Sequence, residues 1–592
     1  MHALRDLLPF VLRYRRRLVV GILCLLVTNA LAMAIPWLLK EAIDHMRVGV
    51  QAPRLLRYAL LLVAATAAQG GFRFAARLCL VGMGRDIEYD LRNALFAHLE
   101  RLPAAFYTRM RTGELMARAT QDLHTIRSVL GFGCMHLLNT VVIYTSTITL
   151  MLLLDARLTA FALLPLPLLF LAVQRSNVVV HRLYQAVQEQ LDRLTTAVQE
   201  NISGIRVVKA YAQEARETEV FAALNETYVA RNLALARAEG FFHPLIGLVG
   251  GLGAVIVLWL GGLEVIAGRL TLGTYVAFNG YLAMLVWPTI AIGWITNLVQ
   301  RSGVSAQRVF ELLRTEPAIA DPPDPAPVRT LQGAIEFRDV SFAYRAPGDG
   351  DGDPRVLRGI TLTIRPGQRV AVVGPTGSGK STLLALIARL YDPTAGQVLL
   401  DGTDTRRLPL PVLRHAIGYV PQEAFLFSAT LRENIAIGLR DGANGAHAGE
   451  ADPVVHAARV ADLFKDLELL PQGLDTVVGE RGVTLSGGQK QRAAIARAVA
   501  TDPRILILDD ALSSVDAETE ARILQRLETF MAGRTALVVS HRISAVRDAD
   551  LIVVLEDGRI VEQGTHQALL ARGGLYARLA RRQQVAEELE AI

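Results

Sequence analysis

The first half of the chain carries six apolar stretches, most of them about twenty residues long and nearly free of charge. They lie near Leu18–Leu39, Leu55–Arg77, Leu130–Leu154, Leu158–Val173, Pro244–Ile266 and Leu272–Val299. A helix of about twenty residues crosses the ~30 Å of hydrocarbon in a bilayer. Lipid offers no partner to a backbone N–H or C=O, so such stretches must pair their polar groups within themselves, as helices. The fourth stretch is short and the second is polar at its inner end. Six membrane spans are nevertheless the reading that accounts for all of them.

The basic residues set the direction. Seven arginines from Arg85 to Arg127 separate spans two and three, and eight basic residues from Arg175 to Arg237 separate spans four and five. The turns at Asp155 and Arg269 are short. The positive-inside rule puts both long basic segments, and the polar second half of the chain, in the cytoplasm. The apolar run after "RYRRR" continues to Leu39, longer than the core of a cleavable signal and without a small-residue cleavage site, so the N-terminus is expected there too. These flanking arginines account for the net charge of +6, and nucleic acid is not an expected partner. Cys24, Cys79 and Cys134 show no metal-like spacing and imply no disulfide framework.

The two basic segments have periodic apolar positions and few turn signals beyond "RTGE" (Arg111–Glu114) and "ISGIR" (Ile202–Arg206). They are expected to be rigid helical extensions of the spans, meeting at turns near Thr112–Ala119 and Gly204–Gln213. The domain layout expected is an amphipathic elbow helix at 1–17, a six-helix membrane domain at 18–307, a proline-rich linker at 308–332, an α/β domain at 333–582 and a tail at 583–592. Five prolines from Pro317 to Pro327 stiffen the linker. Two glycine-rich inserts, Ala346–Pro354 and Arg440–Asp452, are read as exposed loops.

The chemistry lies in the second half. "VAVVGPTGSGKST" (Val370–Thr382) is an apolar strand, a glycine-rich turn and a helix start. Gly374, Pro375, Thr376, Gly377, Ser378 and Gly379 would let backbone N–H groups converge on phosphate oxygens at a helix N-terminus. Lys380 would reach the β- and γ-phosphates of a nucleotide, Ser381, which closes the motif, would offer a hydroxyl to Mg²⁺, and Thr382 next to it is counted with the nucleotide-binding residues. "RILILDD" (Arg504–Asp510) is an apolar strand ending in acid, which places Asp509 as a second Mg²⁺ ligand.

Between these two motifs stands "LSGGQKQR" (Leu485–Arg492). With it, and with six spans ahead of it, the chain resembles the ATP-binding-cassette exporters along nearly its whole length. It is similar to a half-transporter of the type IV fold: a membrane α-helical six-span domain fused to a C-terminal α/β P-loop nucleotide-binding domain. That resemblance implies further roles. Tyr344 in "SFAYR" would stack on adenine. Gln422 in "YVPQEAFLF" would contact Mg²⁺ and the attacking water. His541 in "VVSHR" would contact the γ-phosphate, and Asp516 in "SSVD" would communicate between two ATP sites. "VGERG" (Val478–Gly482) would touch the membrane domain's loops. Two cassettes of this family close head to tail, so Leu485, Ser486, Gly487, Gly488 and Gln489 would serve ATP held by a partner's phosphate loop.

One residue departs from the family pattern. Asp510 stands where members carry a glutamate that manages the attacking water. Aspartate retracts the carboxylate by roughly an ångström, and a misplacement of that order costs about 100-fold in rate. Slow hydrolysis is the expectation, the other reading being that Asp510 reaches the water through a shifted backbone. A poor base beside an intact signature reads as half of a heterodimer. "DDALSSVD", "RTGELMARAT" and "YLAMLVWPTIAIGW" resemble the MdlA-like half of bacterial heterodimeric multidrug exporters. The expectation is therefore ATP-driven export of lipophilic or amphipathic compounds across the bacterial inner membrane, with ATP and Mg²⁺ as cofactors. The partners implied are a second half-transporter, the bilayer and a lipophilic substrate. A homodimeric lipid or peptide exporter and an ATP-gated regulatory protein are the alternatives. Gln69, Arg73, Arg77, Asn139, Asn279, Trp287, Trp294 and Asn297 mark polar or aromatic points of the spans, and Pro288 a possible kink, without naming a substrate.

Overall fold

The computed structural model describes residues 5–47, 52–344, 355–439, 452–468, 470–479 and 485–590. Most of the two inserts, and Glu480–Gly482 of the "VGERG" segment, lie outside the described residues. The chain forms two compact units, one of residues 1–100 with 113–315 and one of 101–112 with 316–592.

The first unit is helical. A short α1 (Leu8–Arg13) ends at Tyr14, where α2 (Arg15–Arg47) begins after a break. Asp90 holds that elbow, accepting from Arg13 Nη1 and Tyr14 Oη at 3.0 Å each. Next come α3 (Ala52–Leu99), α5 (Thr112–Leu154), α6 (Ala156–Ser203), α7 (Ile205–Ala210), α8 (Glu214–Ile266) and α9 (Leu272–Leu313), while α4 (Ala104–Arg109), between α3 and α5 in the chain, belongs to the second unit. Six of these helices are long and apolar enough to cross a membrane, and five of the six are 42 residues or longer, so spans and basic extensions are continuous rods. Prolines lie inside α2 (Pro36), α6 (Pro165 and Pro167, after a turn at Leu164), α8 (Pro244) and α9 (Pro288). α5 carries two π-turns, Arg118–Asp122 and Val129–Gly133. Opposite the second, a Cβ on Gly84 of α3 would meet the backbone nitrogen of Gly131 at 3.0 Å, so only glycine lets these rods approach so closely.

The extensions are braced by polar groups. Glu88 of α3 pairs with Arg92 at 2.7 Å and with Arg127 of α5 at 3.0 Å. Asp122 of α5 is 4 % exposed and accepts from Ser305 Oγ at 2.7 Å and Arg308 Nη2 at 2.6 Å, both on α9. Between α6 and α8, Gln190 donates to the Leu224 carbonyl and Arg231 to that of Ala186.

The second turn falls where the sequence places it, around α7. The first does not. The chain is already helical at Thr112, and the turn lies earlier, at Glu100–Pro103, followed by α4 and a break at Met110–Arg111. The physical reason is Pro103, which takes an extended conformation (φ −72°, ψ 159°) as the N-cap of α4. Gly113, read as a turn residue, sits inside a helix. Likewise α9 continues to Leu313, past the point where the linker was expected to begin.

In the second unit, β1 (Ile335–Phe342), β2 (Leu357–Ile364), β4 (Ala395–Leu400) and β5 (Thr403–Asp404) form an antiparallel sheet ordered β2-β1-β4-β5. A six-stranded sheet is ordered β10-β9-β3-β8-β7-β6, with β3 (Arg369–Val373), β6 (Ile417–Val420), β7 (Ile505–Asp509), β8 (Thr535–Val539), β9 (Leu551–Glu556) and β10 (Arg559–Gly564). All pairings in it are parallel except β9 with β10. Every residue of "ILILD" is buried, as expected of a parallel strand covered on both faces. Its alternation sorts the core: Ile505 and Ile507 pack with Leu383 and Leu386 of α10 (Lys380–Ile387) and with Phe337 of β1. Leu506 and Leu508 pack on the other face, with Ala493 and Ile495 of α11 (Gly487–Ala500) and Ile523 and Leu527 of α12 (Ala517–Met531). A last helix, α13, spans Leu575–Glu590. The proline-rich stretch is bound along this unit: Arg389 donates to the Ala320 carbonyl, the Leu410 N–H to Asp321 and the Ala326 N–H to the Arg407 carbonyl.

Candidate nucleotide-binding site

Strands β3, β8, β7 and β6 lie side by side and in register, with Val372 and Asp509 both opposite Val539 and Val420 opposite Leu508. Whatever follows these strands is gathered at one edge, the carboxyl end of a parallel sheet, where such folds bind ligands. After β3 comes the glycine loop. Gly374 has φ +155° and its absent Cβ would collide with the Leu555 carbonyl. Gly379, at φ +98°, caps α10 where a Cβ would meet the Val356 carbonyl at 2.9 Å. Neither position admits a side chain, so the loop can wrap a phosphate with bare backbone.

A cavity of about 190 Å³ opens over this loop, lined by Thr376, Gly377, Gly379, Lys380, Ser381, Thr382, Gln422, Asp509, Asp510 and His541. All the catalytic and metal-ligand residues expected from the sequence thus meet at one place. Lys380 is 7 % exposed and its Nζ donates to the carbonyls of Gly374 (2.9 Å) and Pro375 (2.8 Å). Burial lowers its pKa, against the pull of Asp509 and Asp510. Burial raises the pKa of Asp509, and nearby Asp510 adds to the rise, while a hydrogen bond from Ser381 opposes it. Asp509 Oδ1 and Ser378 Oγ are buried without a hydrogen-bond partner. A buried carboxylate with one unpartnered oxygen, hydrogen-bonded to a serine hydroxyl, fits a cation–phosphate ligand, which would satisfy both orphaned atoms.

Asp510 has φ +49°, its N–H donating to the Val539 carbonyl and its carbonyl accepting from Ser513 N. Aspartate enters this left-handed region more readily than most residues.

Tyr344 does not line the phosphate cavity. It lines a neighbouring one of about 310 Å³ with Tyr391, Asp392 and Thr394, together with Pro103, Ala105, Thr108 and Arg109 at α4. Its hydroxyl bonds Thr382 Oγ1 at 3.1 Å, and its ring meets those of Phe342 and Tyr391 edge-on. Tyr391 and the α4 residues are members of this site that sequence reasoning missed. The one available signal was an aromatic directly ahead of "DP" in "LYDPT".

The signature residues Leu485, Ser486, Gly487, Gly488 and Gln489 do not line either cavity. Ser486 caps α11 in a capping box with Gln489, whose side chain also reaches Asp466 at 3.1 Å. Gln489 is thereby committed inside the chain, whereas Ser486 and Gly487 are exposed. A Cβ on Gly488 would meet the Ser514 carbonyl at 3.0 Å, and Gln491 bonds both Ser513 Oγ and Ser514 N. Signature and "SSVD" loop therefore form one surface, ending at Asp516, which accepts from Thr519 N and caps α12.

Fold and site together define an ATP-binding P-loop domain fused to six membrane helices. The comparisons with known proteins narrow this. Residues 18–289 match the family described as ABC transporter transmembrane region, and residues 357–513 match that described as ABC transporter. The chain is 39 % identical over 98 % of both chains to the probable multidrug resistance ABC transporter ATP-binding/permease protein YheI of Bacillus subtilis. It is 35 % identical to the multidrug resistance-like ATP-binding protein MdlA of Escherichia coli, over 88 % of this chain and 86 % of that one. A bacterial Atm1-family ABC exporter solved with ATP bound superposes with a TM-score of 0.78 at 32 % identity, covering 96 % of this chain and 98 % of that one. The chain belongs to the ABC transporter family, as an exporter-type ATPase with its transmembrane and ATP-binding domains in one polypeptide. It is a multi-pass membrane protein with a cytoplasmic ATP-binding domain, of a family that acts as dimers in a lipid bilayer.

Proposed function

We propose that this chain is one subunit of a heterodimeric exporter that moves lipophilic or amphipathic compounds out of the cytoplasm across the bacterial inner membrane. The observation that carries the proposal is the convergence of Lys380, Ser381, Gln422, Asp509, Asp510 and His541 on one cavity, with the signature surface directed elsewhere. The relatives YheI, a probable multidrug resistance transporter, and MdlA, a multidrug resistance-like protein, support a multidrug type of substrate.

In this reading the glycine loop and the α10 N-terminus hold the triphosphate, and Tyr344, with Tyr391 behind it, stacks on the purine. Ser381, Asp509 and Gln422 would hold Mg²⁺, which would supply neutralisation of the charge that develops on the phosphates. Lys380 turns from the loop carbonyls to the phosphates, His541 contacts the γ-phosphate, and Asp510 orients water from too far back. Ser486, Gly487 and Gly488 complete the partner's site, so closure requires ATP. Because α4 lines the cavity at Tyr344, occupancy there is felt by a segment continuous with α3 and α5.

Intact-complex mass spectrometry of the tagged chain, isolated from its native membrane, tests the subunit arrangement. A stoichiometric partner of different mass is expected. A mass of twice 64.5 kDa would mean a homodimer with two aspartate sites.

A further inference from the structure

His541 sits on a loop with one open wall. A cleft of about 760 Å³ runs beneath it, lined by His541, Arg542, Ser544, Glu520, Met531 and Gln583 among others. The loop is close-packed at Ile543, which rests on the cluster of Val546, Leu569 and Tyr576, but not along the cleft. Two polar tethers cross the gap. Arg542 pairs with Glu520 of α12, which is 3 % exposed, and also donates to the Val515 carbonyl at 3.3 Å. On the other side the Ile543 N–H donates to Oε1 of Gln583 on α13 at 2.7 Å. Ile543 opens the short turn Ile543–Ala545, only two residues after His541.

We propose that Gln583 is a positioning residue for His541, making the C-terminal helix part of the ATP-sensing machinery. The inference rests on the reading of His541 as the γ-phosphate contact. With one wall of the loop open to the cleft, the loop's height over the phosphate cavity depends on the apolar seat of Ile543 beside Leu575 and Tyr576 and on its polar tethers, of which Gln583 is one supplied from α13. Losing it lets the imidazole drift from a ligand atom that ATP has and ADP lacks. Binding of ADP, which ends at the β-phosphate, is untouched.

The test is 8-azido-ATP photolabelling of this chain in the purified transporter, with displacement by AMP-PNP or ADP in the presence of Mg²⁺. Gln583→Met keeps the length and removes the acceptor; Gln583→Glu keeps the acceptor. The expected result is a fall of about fivefold in the preference for AMP-PNP over ADP in Q583M, the size of one hydrogen bond. Q583E should restore the preference, and melting temperature should be unchanged in both. Equal weakening of both nucleotides with a lower melting temperature would show a merely structural contact and overturn the proposal. So would an unaltered preference in Q583M while His541→Ala abolishes it. If His541→Ala itself leaves the preference intact, the γ-phosphate reading fails, and this inference fails with it.

Discussion

Asp510→Glu is the substitution that asks most of the site. The added methylene moves the carboxylate about 1.3 Å toward the cavity lined by Lys380, Gln422 and His541. If the deficit of aspartate is about 100-fold, the longer side chain has about 2.7 kcal/mol of barrier to recover. The backbone opposes this. Residue 510 sits at φ +49°, a region that costs L-residues about 1–2 kcal/mol and that aspartate tolerates better than glutamate does. Were about 1 kcal/mol of that strain to reappear as misplacement, the gain would shrink to about 20-fold. The expected increase in single-turnover phosphate release from this chain's site is therefore about 20- to 100-fold. Vanadate trapping of labelled nucleotide on this chain, in the purified transporter in nanodiscs, reads it against the partner's site. Asp510→Asn should show no release above background trapping in either case. The reasoning is refuted if D510E releases phosphate no faster than the native chain while D510N abolishes release, because aspartate is then a sufficient base.

Asp509→Asn should abolish Mg²⁺-dependent hydrolysis at this chain's site yet raise the melting temperature of the nucleotide-free protein by a few degrees. Burial raises the folded-state pKa of Asp509, so its charge destabilises the fold. That cost is absent below the ordinary carboxylate range, grows as pH rises through it, and is complete above the raised value. The stabilisation by D509N should accordingly vanish in acid, which a pH series of melting curves checks. Tyr391→Ala removes the ring behind Tyr344 and should weaken ATP binding at this chain's site about tenfold, measured by displacement of 8-azido-ATP photolabelling from this chain. Ser486→Arg should leave photolabelling of this chain intact and abolish turnover at the partner's site, since Ser486 lines neither cavity of its own domain.

Legibility in the sequence followed the range of the interactions. The spans were readable because lipid imposes a length and a composition on each helix separately, as with Leu272–Val299, which lies within α9. The phosphate loop was readable because glycine at 374 and 379 answers local collisions within a fixed motif. Helix α4 was not: "AAFYTR" is too short for a period, and its boundaries come from Pro103 and an extended Met110. Nor was the brace at Asp122, whose partners Ser305 and Arg308 lie more than 180 residues away. The left-handed backbone of Asp510 leaves no mark on composition, although it bears directly on why an aspartate is tolerated there.

That backbone also bears on the proposed asymmetry, a sound signature beside a slow base in one chain. The segment from Asp510 to Asp516 serves two sites. Its first residue faces the chain's own cavity, and its Ser513 and Ser514 are bonded to Gln491 of the signature helix. The bonds that shape it at position 510 are both backbone bonds, from the Asp510 N–H to the Val539 carbonyl and from Ser513 N to the Asp510 carbonyl. Neither depends on which side chain stands at 510. A change of that side chain acts first on the chain's own site, and any strain it brings at φ +49° is separated from the surface offered to the partner by the bonds from Gln491 to Ser513 and Ser514. The two half-sites can therefore diverge by single substitutions, and a heterodimer with one slow and one fast site needs no rearrangement of the fold.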